Sequence, residues 1–460
     1  MHISSQGRAA LLAACLLLIP GIQYSYATAA PRAGTGLYST IRNIRVSQNG
    51  FADYAEPALA VNPHNSLNLL GAAMDFDRSS TPGTFVSHDG GRTWHDNGAL
   101  ALPAGFTQGG DVSVAFNAQG TGFVAAQLIS GLNADVRGVF VWRTDDGGQT
   151  FRRPVGVVSG TFVDHPWMAV DTTTGAGAGN LYVAWATRSR FGHTQSEGLA
   201  FSRSTNGGHS FATPRIISAP QGGITAPVLA AGPAGAVYVA YVTAKNAPAG
   251  QNARAVSPAS TIDVMRSADA GMHFARSSLD GPAIFGLTPA DGLLVPTGPS
   301  LATDPRDGTV YVAYVADHPG TSQASGIVLS RSQAGGRSWG HPVQVTSNRR
   351  AGHAVDFQPR VAVSVSGTVA VSYDTMEHGH VDVALVQSTR HGASFGPSTR
   401  VTSVSFDPAL GLPGGKEGLW WIGDYQGLAV GPRAFYPFWS DTRTGHLEIF
   451  SAAVSETAAR

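Results

Sequence analysis

The chain is expected to fold as an all-β, seven-bladed β-propeller of four-stranded antiparallel blades, and three features of the sequence carry that expectation. An eight-residue turn motif recurs six times at nearly even spacing, at 87–94, 144–151, 204–211, 267–274, 332–339 and 388–395. Seven short Ala- and Val-rich strands recur in step with it, at 57–61, 112–116, 166–170, 227–231, 299–303, 359–363 and 426–430. The third feature is a strand at 41–47 with no partner nearby in the chain.

Each element has a local reason. In the motif, Ser87 and Asp89 can cap free backbone N–H groups, glycine takes the positive φ, and Trp94 buries itself between sheets. Where Asp gives way to Ala334 or Arg390, the glycine and the aromatic remain. The turn is therefore a structural device. The seven small-residue strands suit the crowded centre of a propeller, where inner strands converge. Second strands such as 181–185, 237–241 and 310–314 end in aromatics, and each unit spans about 60 residues, one blade. The last unit stops at its third strand, 447–451, so the orphan strand at 41–47 is expected to complete it and close the ring.

The pattern Ser-x-Asp-x-Gly-x-Thr-Trp/Phe resembles the Asp-box (BNR) repeat of sialidases and related secreted β-propellers. That resemblance implies a propeller and says little about activity, since the repeat occurs in hydrolases, lyases and receptors alike. Sialidases proper have six blades and a Phe/Tyr-Arg-Ile-Pro motif. Here seven blades are expected, and the nearest match, Ile41-Arg42-Asn43-Ile44, lacks the proline.

Composition bounds the partners. Thirty Lys plus Arg balance thirty Asp plus Glu, so no overall field draws in nucleic acid or an anionic membrane. Residues 1–30 read as a secretory signal peptide, with Ala27-Thr28-Ala29 as the cleavage site, and 31–460 as a single propeller domain, secreted or periplasmic. Leu12-Ala13-Ala14-Cys15 also fits a lipoprotein box that would anchor the chain through Cys15. Cys15 is the only cysteine, so the mature chain has no internal disulfide and no thiolate site. No later run is long and apolar enough to span a bilayer, and a closed ring is expected to be monomeric. No metal or cofactor motif is present: there is no zinc spacing, no EF-hand loop, although scattered Asp leave a structural Ca²⁺ open, and no phosphate loop.

Chemistry is expected at the face opposite the repeated turns, where inner strands begin and second strands end. Before inner strands stand Glu56, Asp111, Asp164, His165, Asp356, Asp424 and Tyr425; after second strands stand Asp75, Asp77, Arg78, Arg188, Arg190, Asp317, His318, Asp374, Glu377, His378, Asp441 and Arg443. Asp111, Asp164, Asp356 and Asp424 look equivalent from blade to blade, which favours a structural role such as capping backbone amides. Residues that break the repeat inform more: His165, Trp167, and the stretch holding Glu417, Trp420, Trp421, Asp424 and Tyr425. Aromatic faces beside carboxylates suit sugar rings.

The resemblance to sialidases implies an arginine clamp for the substrate carboxylate, a tyrosine activated by a glutamate, and an acid/base aspartate. Arg78, Arg188, Arg190 and Arg443 are the clamp candidates, with Trp167, Trp420 and Trp421 as further sugar contacts. Tyr425 with Glu417 or Glu377 is the nucleophilic pair, and Asp77, Asp164 or Asp441 the acid; Asp424 and His165 stand beside them as catalytic candidates. The leading expectation is thus a secreted exo-glycosidase for sialic acid or a related acidic sugar. A non-catalytic glycan- or protein-binding propeller is the alternative. The third reading is a polysaccharide lyase whose base is His165, His318, His353 or His378.

Overall fold

The computed structural model describes residues 41–48, 53–76, 80–131, 137–191, 194–218, 223–244, 260–281, 283–284, 292–316, 326–346, 354–413 and 418–458. The leader and the tether after it lie outside these residues. Six blades are consecutive four-stranded antiparallel sheets. Blade 1 comprises Tyr54–Val61, Leu69–Asp75, Thr81–Ser87 and His95–Ala99, and blade 3 Asp164–Val170, Leu181–Phe191, Thr194–Ser204 and Arg215–Ile216. The inner strands of blades 2, 4, 5 and 6 are Phe106–Phe116, Ile224–Gly232, Ser300–Thr303 and Val355–Val363.

Blade 7 carries the two ends of the described chain. Gly427–Val430, Ala434–Asp441 and Glu448–Ala452 are completed by Asn43–Arg45, paired antiparallel with Asn43 opposite Ala452 and Arg45 opposite Phe450. Arg45 Nε donates to Glu448 Oε2 at 2.6 Å, as does Ser47 Oγ, so the closing strand is fastened by charge as well as by ladder bonds. Each inner strand touches the next and the seventh touches the first. The ring is closed. Between blades the packing is apolar, with Trp142, Trp185 and Trp439 among the largest fully buried side chains. No helix among the described residues is long and apolar enough to cross a membrane.

The repeated turns do what their residues require. Ser87 Oγ accepts from Gly91 N at 2.9 Å, and Asp89 Oδ1 accepts from the amides of Arg92 and Thr93, both at 2.9 Å. In the turns that lack the carboxylate, Ser332 and Ser388 still accept from Gly336 N and Gly392 N at 2.9 and 3.0 Å. The serine bond is the constant feature.

At the other face the inner strands differ from expectation. Strands 1, 3, 4 and 6 begin two to four residues before the prolines, because pairing resumes across a bulge, with register shifts at Ala55/Ala58, Asp164/Trp167, Thr225/Val228 and Phe357/Arg360. Blade 2 has the same break at Gly110/Ser113. The residue inside each bulge lies at positive φ: Glu56 (58°), Asp111 (49°), His165 (51°), Ala226 (48°) and Gln358 (48°). These five are the equivalent positions. Asp164 and Asp356 fall one and two residues earlier, so the apparent equivalence of the aspartates is an effect of sequence spacing, and the bulge sets the true register.

Candidate functional site

A β-bulge turns one side chain out of the pleat and re-aims it. Repeated round a propeller, it aims one residue per blade at the axis. Holding an L-residue at positive φ costs about 1 kcal/mol or more, a cost the closed ring imposes five times over. Ala226 meets the same backbone demand with a methyl group, so the bulge belongs to the fold and the side chain upon it is free for chemistry.

Contacts between blades that are not neighbours show that these side chains meet at the centre. Tyr425, just ahead of the blade 7 inner strand, donates its hydroxyl to Val112 O of blade 2 at 3.0 Å. Its ring stands edge-on to His165 and Trp167 of blade 3, at centroid distances of 5.1 and 5.4 Å. His165 stacks on Trp167 at 5.8 Å and 13°. From blade 6, on the far side of the ring, the Arg360 guanidinium lies 4.4 Å from the Trp167 ring centroid. Glu56 is hydrogen-bonded to Asp111, whose Oδ2 also accepts from His165 N at 3.2 Å. Asp424 faces Asp111 and is held by the Trp421 indole, Nε1 to Oδ1 at 2.7 Å. Gly423, at φ 108°, permits this approach: a Cβ there would fall 2.9 Å from Glu56 N.

The electrostatics follow from crowding. Burial, then the Asp424 charge, raise the Asp111 carboxyl, and the bonds from His165 N and Glu56 and the Arg137 charge only partly offset them. Burial, reinforced by Glu56 and Asp111, lifts the Tyr425 phenol well above its ordinary value, with Arg360 opposing. Burial lowers His165, against the charges of Asp164 and Asp424, so its imidazole is neutral at pH 7. Burial brings Arg360 down to about 10, and it stays cationic. Among the described residues this guanidinium makes no hydrogen bond or ion pair; its contacts are Trp167 and Tyr425. A half-buried cation left so is suited to an anionic ligand.

Of the residues singled out in the sequence, Tyr425, Asp424, His165 and Trp167 come together, Asp164 bears on His165, and Trp421 reaches the cluster through Asp424. Arg443 does not join them: it pairs with Asp441 at 2.5 Å, bonds Asn43 and Ser403 at 3.0 Å, and covers Phe450, tying the closing blade to the segment that follows blade 6. Arg188 lies over Phe162, beside Arg137. Trp420 is 36% exposed, on a two-residue strand paired with Leu412–Pro413. Asp374, raised well above its ordinary value by burial, bonds Gln426 at 2.9 Å. Arg78, Glu417, Asp77, Asp317, His318 and His353 lie outside the described residues, as does the side chain of Arg190.

Sequence reasoning missed Arg360, and a signal for it was present. Ala58, Trp167, Val228 and Arg360 each follow a bulge and its proline. A tryptophan and an arginine at a position otherwise held by small apolar residues mark the two blades that break the pattern.

The fold and the central cluster define a seven-bladed β-propeller with an ionisable centre. No protein-family model and no curated protein sequence matches the chain. Among solved structures it is similar to a PL25 polysaccharide lyase, an ulvan lyase, at 11% identity over 90% of this chain and 96% of that one, TM-score 0.51. It is similar too to an α-L-arabinofuranosidase from Fusarium graminearum, at 12% identity over 92% and 98%, TM-score 0.50. A Hadza microbial sialidase matches at 12% identity over 86% and 75%, TM-score 0.46. At such identities the likeness is one of fold.

Proposed function

We propose that the chain is an exported, monomeric glycan-cleaving enzyme that works at the centre of the ring on a sugar bearing a carboxylate. The observation that carries this reading is the Arg360 guanidinium on the Trp167 face, without an anionic partner among the described residues and beside Tyr425. A carboxylated sugar supplies what that arrangement lacks: two planar oxygens for the guanidinium and a C–H face for the indole. The hydrolytic reading then follows sialidase-type chemistry. Tyr425 attacks the anomeric carbon, and its proton passes to Asp424, which the Trp421 indole orients. The glycosyl-tyrosine is released by water in the reverse sense.

Fluorophore release from a sialic acid glycoside by the purified chain, with Tyr425→Phe beside it, tests this. Turnover by the parent and its loss in the variant is the expected result. Turnover unchanged by the substitution would remove Tyr425 from the reaction.

One feature favours elimination as a second reading. The neutral His165 imidazole beside a protonated Tyr425 phenol is the base-and-acid pair that β-elimination from a uronate needs, with Arg360 neutralising its carboxylate. An ulvan lyase shares the fold. Unsaturated uronate products from a uronate polymer would establish this reading over hydrolysis. Binding of acidic glycans without turnover of either kind would leave a non-catalytic propeller.

A further inference from the structure

The hydrolytic reading names a nucleophile and a base and leaves open what protonates the departing oxygen. We propose that Glu56 and Asp111 hold a single proton between them and that this pair delivers it to the glycosidic oxygen. The proposal rests on the hydrolytic reading and deepens it.

The geometry is specific to these two bulges. Glu56 and Asp111 occupy equivalent positions in adjacent blades, both at positive φ, so both side chains turn inward and meet in a direct hydrogen bond. Two carboxyls can share such a bond only if one of them carries a proton, because two carboxylates at hydrogen-bond distance repel. The surroundings keep that proton in place. Asp424 and the Tyr425 phenol face the pair from blade 7, His165 faces it from blade 3 through its amide and an imidazole that burial keeps neutral, and Arg137 faces Asp111 from its own blade. One arginine stands against three carboxyls, so full ionisation is disfavoured. Glu56 is almost wholly buried, whereas Asp111 is half-buried. Asp111 is thus the member that can touch a ligand, and Glu56 tunes it.

The step balances. As the Tyr425 oxygen bonds to the anomeric carbon, the bond to the leaving oxygen breaks and takes the proton of the pair, leaving both carboxyls ionised. When water attacks the glycosyl-tyrosine, the pair takes a proton from it, the hydroxyl joins the anomeric carbon, and Tyr425 recovers its own proton from Asp424.

Leaving-group dependence separates this role from a structural one. Glu56→Gln and Asp111→Asn keep the hydrogen bond between the two side chains and remove the shared proton. On a carboxylated oligosaccharide, whose leaving alcohol needs protonation, each variant should lose about a hundredfold or more in kcat, and on the 4-nitrophenyl glycoside about tenfold or less. The alkaline limb of the pH–rate profile, which reports loss of the pair's proton, should flatten in both. Equal losses on the two substrates with an unchanged profile would overturn the proposal. An inactive parent would sink the hydrolytic reading instead, and the pair would then be judged by infrared spectroscopy at neutral pH. Loss from both variants of a protonated-carboxyl band that the parent shows, over the band that Asp374 contributes to all three, supports it; spectra identical in that region for parent and variants refute it.

Discussion

The two faces of the ring shift the same residue type in opposite directions. On the turn face, burial is the largest single influence and pushes the aspartates up, but the bonds from each turn's own hydroxyls and amides together prevail, and Asp146 falls to about 2. Asp89 is lowered in the same way, and Asp269 is lowered first by the bond from His273 N. On the bulge face, burial prevails, and Asp111 and Asp374 rise. The difference lies in where the donors come from. A turn aspartate is satisfied within five residues of chain, so it stays ionised and inert. A bulge aspartate looks across the axis to other blades, several of which present further carboxyls. Local satisfaction yields structure; convergence without enough cations yields a carboxyl whose pKa is raised, which is the direction acid–base chemistry requires.

Substitutions can break that contrast from either side. The largest effect is expected at the centre: Tyr425→Phe should lower turnover of a carboxylated glycoside by about a thousandfold, some 4 kcal/mol of barrier, with a smaller loss of stability, about 1 kcal/mol, because the buried Val112 carbonyl loses its donor. On the turn face the largest effects are on stability. Gly148 lies at φ 105°, with an added Cβ only 2.9 Å from Leu70 Cδ1, so Gly148→Ala should cost about 2 kcal/mol by denaturant unfolding. Gly91, with 3.6 Å to spare beside Tyr436, should lose about half as much.

Smaller effects sharpen the protonation argument. Because the folded state raises Asp374, it binds a proton that the unfolded chain releases above about pH 4, so this residue subtracts stability as pH climbs from there toward its raised value. Asp374→Asn should therefore raise the thermal midpoint at pH 7, and the gain should vanish near pH 4. Asp146 runs the other way: its folded value is depressed, so its contribution is present above about pH 4 and is lost as pH falls toward 2. Asp146→Asn should cost less than about 1 kcal/mol at pH 7, since Asn206 already fills that place in the next turn, with Oδ1 accepting from Ser210 N at 3.0 Å. Its acid dependence should flatten.

The ring was legible because its signals are local and repeated. The motif serine, glycine and aromatic at 87–94 dictate a turn wherever they recur, and the incomplete last blade required the strand at 41–47. The bulges were not legible. Positive φ at Glu56, His165 and Gln358 arises from how each inner strand meets its neighbours, and Ala226 adopts it with a side chain that gives no hint. That hidden offset made Asp164 look equivalent to Asp111. It also concealed Arg360, which read as part of a core strand although its guanidinium reaches across the axis to Trp167.

Arg360→Met provides the most direct test that the centre of the ring is a site for carboxylated glycans. The substitution keeps the apolar stem over Trp167 and removes a half-buried charge that has no protein counter-ion among the described residues. The account predicts an unchanged or higher thermal midpoint, together with a KM for carboxylated glycans raised by about a hundredfold and a KM for neutral ones left alone. An unchanged KM for the carboxylated substrate, or an equal rise for both, would contradict it.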